Sequence, residues 1–75
     1  MGRLSSLTAR KIVRALKRAG FVEDRQKGSH LILTNPESNA RTVVPIHPGQ
    51  TIKEALVRAI IRDAKLSVDD FIQLL

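Results

Sequence analysis

Two imidazoles, His30 and His47, are the side chains of this 75-residue chain best suited to moving a proton near neutrality. The ordinary imidazole pKa of about 6.5 allows that in either direction. His30 follows Lys27-Gly28-Ser29, a tight turn in which Gly28 can take a positive φ. It leads the most strand-like stretch of the chain, His30-Leu31-Ile32-Leu33-Thr34. If Leu31 and Leu33 face helices, the period of two puts His30, Ile32 and Thr34 on an open sheet face. A solvent-facing imidazole beside Lys27 and near a basic helix suits phosphodiester cleavage. RNA brings its own nucleophile, the 2′-hydroxyl, so one base and a few phosphate-binding cations suffice without a metal. The cations would stabilise the developing phosphorane charge. The competing reading of His30 is a partly buried strand histidine hydrogen-bonded to the backbone.

His47 lies in Val44-Pro45-Ile46-His47-Pro48. It reads either as a second acid–base group or as part of a loop that its flanking prolines make rigid. Ser29 has no Asp or Glu placed by sequence to complete a triad with His30, so it reads as a hydrogen-bonding turn residue. The acidic residues show no paired spacing suggestive of a metal or glycosidase site. With no cysteine, a disulfide framework is excluded and a structural zinc site is not expected.

Three antiparallel strands and three helices must position these groups. A first helix is expected from Thr8, a good N-cap with Leu7 and Ile12 as a hydrophobic staple, to a stop at Gly20. Ile12, Ala15, Leu16 and Ala19 form its apolar side, and Arg10, Lys11, Arg14, Lys17 and Arg18 its basic back. Strands are predicted at Phe21–Gln26, His30–Thr34 and Arg41–Ile46, a meander joined by short loops and stopped by Pro45 and Pro48. A capping box, Thr51-Ile52-Lys53-Glu54, predicts the start of a second helix. Its apolar arc runs through Ile52, Leu56, Ala59, Ile60 and Ala64, widened by Val57 and Ile61, with Glu54 and Arg58 paired on the polar side. Ser67 would cap a last short helix, Val68 to Leu74. The expected fold class is α+β, a two-layer sandwich of helix, three antiparallel strands and helix with a short C-terminal helix. One sheet face is left open.

The charge is lopsided. Lys and Arg number 13 against 7 Asp and Glu, a net +6. Residues 1–30 hold eight basic and two acidic side chains, so all the surplus lies there. A basic face on a small domain points to a polyanion, nucleic acid before a membrane surface, or else to a solvated helix face. The length predicts a single domain over residues 1–75, and no apolar run approaches the roughly 20 residues of a membrane span. Met1 to Leu7 lacks a signal-peptide core, although Gly2 and Ser6 fit a short myristoylation pattern. The expected location is the cytoplasm.

Lys27-Gly28-Ser29-His30 before an apolar strand, followed by Val43-Val44-Pro45-Ile46-His47, resembles the HicA (YcfA-like) toxin family. The flanks Leu16-Lys17-Arg18-Ala19-Gly20-Phe21 and Ile60-Ile61-Arg62-Asp63-Ala64, with Leu66-Ser67, extend the likeness over roughly Leu7 to Leu75. The chain departs from the family pattern at Ala55-Leu56, at Lys65 and at Leu31-Ile32-Leu33. The resemblance implies a fold like the double-stranded-RNA-binding domain. It also implies an endoribonuclease that cleaves mRNA as the toxin of a type II toxin–antitoxin pair, with no cofactor. The family's catalytic histidine falls on His30, and Gly28 and Ser29 match the turn that presents it. A HicB-type antitoxin would mask that histidine. On the charge map, Lys27, Arg10, Arg14, Arg18 and Arg25 are the candidate phosphate contacts. The alternative function is a non-catalytic RNA-binding module of the same fold, reading duplexes by shape and phosphates.

Overall fold

The computed structural model describes residues 3–75. Met1 and Gly2 lie outside the described residues, and with them the Gly2–Ser6 pattern. The chain runs β1 (Leu7–Thr8), α1 (Ala9–Arg18), β2 (Val22–Lys27), β3 (His30–Thr34), β4 (Arg41–Pro45), β5 (Thr51–Ile52), α2 (Glu54–Asp63) and α3 (Val68–Leu74). Strands β2, β3 and β4 form an antiparallel meander in that order, and β1 pairs with β5 in a separate two-stranded sheet. The α+β, two-layer class expected from the sequence is the one found.

Local signals explain most element ends. The Thr8 hydroxyl accepts from the Lys11 amide at 3.4 Å and caps α1. At the other end the Phe21 amide donates to the Leu16 carbonyl and the Gly20 amide to the Lys17 carbonyl, both at 3.0 Å. With Gly20 at φ +100, this is a Schellman stop. Phe21 serves as its buried hydrophobic anchor, so β2 begins one residue later than the predicted Phe21. Ser67 caps α3 by accepting from the Asp70 amide at 3.0 Å, and Asp69 and Asp70 occupy its first turn.

The predicted capping box does not form. Thr51 and Ile52 are extended and pair with Thr8 and Leu7. The N-cap of α2 is Lys53, which makes no side-chain cap bond, and the helix starts at Glu54. A strand partner from the other end of the chain supplies backbone hydrogen bonds in place of the local box, and Ile52 is buried in the process. The helix faces the core through Val57, Ile60, Ile61 and Ala64, whereas Leu56, expected in the arc, is 42% exposed. The expected Glu54–Arg58 pair is present at 3.1 Å.

The core lies between the helices and one face of the meander. Ile12 and Leu16 of α1, Val57, Ile60 and Ile61 of α2 and Phe71 of α3 pack with Leu31, Leu33 and Val44 from the sheet. Buried Thr42 donates its hydroxyl to the Ile60 carbonyl at 3.1 Å, tying β4 to α2 without leaving a polar atom unsatisfied.

The end of α2 contains a strained residue. The Lys65 amide donates to the Arg62 carbonyl and the Leu66 amide to the Ile61 carbonyl, the same stop as at α1. The residue in the left-handed conformation is Lys65, at φ 60, where a glycine would carry no penalty. Lys65→Gly is therefore expected to raise stability by about 0.5–1 kcal/mol, read as a higher urea midpoint with an unchanged slope.

Candidate functional site

The β2–β3 hairpin holds His30. Gly28, at φ 59, takes the first position of its two-residue turn and Ser29 has no positive φ, the arrangement of type II′ hairpins. Two bonds brace the turn: Gln26 Nε2 donates to the Gly28 carbonyl at 3.0 Å, and the Ile46 amide donates to the Ser29 carbonyl at 2.6 Å. His30 sits between Lys27 on β2 and Pro45 on β4, at the end of the sheet. Its side chain is exposed and makes no hydrogen bond among the described residues, so the buried, backbone-bonded arrangement is not the one found.

Register defines the rest of that face. The row of Lys27, His30 and Pro45 shares a side with Arg25, Ile32 and Val43, and with Val22, Thr34 and Arg41. The intervening rows, carrying Leu31 with Val44 and Leu33 with Thr42, point into the helix-side core. Lys27 and Arg25 thus stand on the imidazole's face, and Arg41, which no local sequence signal marks, lies at its far end. The face is less open than expected at its centre: Ile32 is only 4% exposed. Its row neighbours are a long arginine stem and a β-branched valine, which shield it although it lies outside the helix-side core.

The basic back of α1 is not beside His30. The helix covers the opposite face of the sheet, where Arg10, Lys11, Arg14 and Lys17 line a groove with His47. Lys17 is paired there with Glu23 at 2.6 Å. Arg18 turns elsewhere, its Nη1 donating to the carbonyls of Leu74 and Leu75 at 2.8 and 3.2 Å. It thereby latches α1 to the end of α3, a contact no local sequence signal suggested. Of the sequence-predicted residues, Gly28, Ser29, Lys27, His30 and Arg25 come together, while Arg10, Arg14 and Arg18 do not join them. Among the described residues, no three His, Asp or Glu side chains converge as a metal site would require. No helix there is long and apolar enough to cross a membrane.

The fold and this hairpin define a class: a small α+β domain that presents one exposed imidazole with cations on an otherwise helix-backed sheet. A family model described as the HicA toxin of bacterial toxin–antitoxin matches residues 9–66, from the start of α1 to the stop after α2. The chain belongs to the HicA toxin family, and its role is that of the toxin in a toxin–antitoxin pair. Among curated proteins, none matches the chain.

Proposed function

We propose that this toxin is an endoribonuclease that cleaves mRNA in the cytoplasm as a single domain, with His30 as its acid–base residue. The observation that carries the reading is the exposed, unpartnered imidazole held between Lys27 and Pro45, with Arg25 on the same face. In this mechanism neutral His30 takes the proton of a ribose 2′-hydroxyl and the 2′-oxygen attacks the adjacent phosphorus. The bond to the 5′-oxygen breaks, and the proton that His30 has taken passes from the imidazolium to that oxygen as it leaves, which restores the neutral ring. The products are a 2′,3′-cyclic phosphate and a 5′-hydroxyl. Lys27 and Arg25 stabilise the charge that builds on the phosphoryl oxygens. Gly28 and Ser29 fix the direction of the ring by bracing the turn, and no step is routed through a metal or cofactor.

Arg10 and Arg14 hold phosphates farther along the strand, and Arg18 adds charge behind them. If about four phosphates are neutralised, the slope of log affinity against log salt is about −3 for a single strand. Affinity for a non-cleavable RNA is then expected to fall about 50-fold between roughly 50 and 200 mM salt, measured by fluorescence anisotropy. A salt-insensitive affinity would remove the phosphate contacts from the account. The antitoxin in this reading is a HicB-type protein that covers His30 with an acidic or inserting surface. The direct test of the whole is whether RNA cleavage and growth arrest depend on His30. RNA that is bound but never cut would leave a non-catalytic RNA-binding module instead.

A further inference from the structure

The groove on the other side of the sheet takes no part in the chemical step at His30. It lies between α1, edge strand β2 and residues 46–49, and has a volume of about 970 Å³. That is the upper end of the roughly 300–1,000 Å³ found for small-ligand sites. Val13, Ile46 and Pro48 give it apolar walls, while Arg10, Arg14 and His47 line it with cationic and hydrogen-bonding groups. None of these last three makes a side-chain hydrogen bond or ion pair among the described residues. Glu23, the acidic residue among those lining the groove, is already neutralised by Lys17. Uncompensated cations above an apolar surface match a nucleotide, with phosphate on the charges and base on the aliphatic groups.

The groove also adjoins the hairpin. Its wall at Ile46 is hydrogen-bonded to Ser29, so the turn carrying His30 forms the common edge of the two faces. A strand passing over Gly28 and Ser29 reaches both.

We propose that this groove is a second nucleotide subsite, in which Arg10, Arg14 and His47 hold a phosphate of the RNA strand farther along from the cut and Val13, Ile46 and Pro48 carry its base. The position relative to the cut rests on the reading of His30; occupation of the groove does not. His47 is then a binding residue and not a second acid–base group, and a productive substrate must be long enough to span the edge.

The test uses the full chain and a short 2′-O-methyl oligoribonucleotide, whose blocked 2′-oxygen prevents scission. The probe is expected to shift the amide signals of Val13, Ile46 and His47 in NMR spectra. His47→Ala should weaken binding roughly fivefold to tenfold, and the Arg10→Ala/Arg14→Ala double variant should weaken it further. With cleavable RNA, His47→Ala should raise KM by a similar factor and leave kcat within about twofold. Unshifted groove signals, unchanged affinity in both variants, or a lost kcat with KM intact would each overturn the subsite. So would a polyglutamate peptide that binds as tightly as the oligonucleotide and loses affinity in the same variants, which would make the groove a protein-docking site. If the probe fills the groove but no RNA is ever cut, the cleavage reading fails and the subsite stands. If RNA is cut and groove variants behave as wild type, the reverse holds.

Discussion

His30→Ala is expected to lower RNA cleavage by roughly 10²–10⁴-fold, the usual contribution of a positioned general base or acid. Growth arrest on expression should disappear with it. In the proposed mechanism the imidazole carries the proton while the cations hold the strand. Lys27 and Arg25 reach the same face from β2, so removing the ring leaves their charges in place. Affinity for a non-cleavable RNA should accordingly stay within about twofold of wild type. The fold should also persist: His30 is exposed, and substitutions at such surface positions move stability by about 0.5 kcal/mol at most. Lys27→Ala should differ in kind, weakening both binding and turnover. Single-turnover cleavage, anisotropy and circular dichroism on the two variants separate these effects. A His30→Ala protein that still cuts at the wild-type rate would take the acid–base role away from this residue.

Phe71→Ala is expected to cost about 3–5 kcal/mol, as large aromatic truncations in cores do. Phe71 is fully buried on α3, which packs against α1. Chains of this size carry roughly 0.05–0.15 kcal/mol per residue, about 4–11 kcal/mol here, so the variant loses about a quarter or more of its stability. The loss should spread beyond α3, because Arg18 latches α1 to the carbonyls of Leu74 and Leu75. Urea unfolding monitored by far-ultraviolet circular dichroism measures it. Leu56→Ala is the control: that side chain is 42% exposed and should change stability by about 0.5 kcal/mol or less. A Phe71→Ala midpoint near wild type would mean that α3 is not part of the cooperative core.

What could be read from the sequence was what a few neighbouring residues decide. Strand β3 has its predicted bounds because alternation and the Gly28–Ser29 turn are local, and α3 has them because Ser67 caps it directly. The same alternation placed His30 on the face away from the helices. What escaped needed a distant partner. Thr51 and Ile52 carry a sound capping-box pattern, yet they pair with Thr8 and Leu7 from the other end of the chain. Leu56 is exposed because it lies at the margin of the Val57, Ile60, Ile61 and Ala64 stripe that packs on the core. Charge patterning makes the α1 cations candidate phosphate contacts near His30, but it shows which side of a helix is cationic, not how far that side stands from a given residue of the sheet. Arg18 and His47 were obscured for the same reason: their neighbours, the end of α3 and the α1 groove, are set by tertiary packing. Conversely, the positive φ of Lys65 shows that the chain keeps a glycine-type stop without the glycine.

The claim on which the functional account turns is that the attacking atom belongs to the RNA and the proton passes through one imidazole. Mass spectrometry of the fragment ends, made by the purified chain in the presence of a chelator, tests this most directly. The account predicts upstream fragments ending in 2′,3′-cyclic phosphate and downstream fragments beginning with 5′-hydroxyl, with neither formed when the nucleotide at the cut is 2′-deoxy. Fragments ending in 3′-hydroxyl and 5′-phosphate, or equal cutting at the 2′-deoxy position, would contradict it.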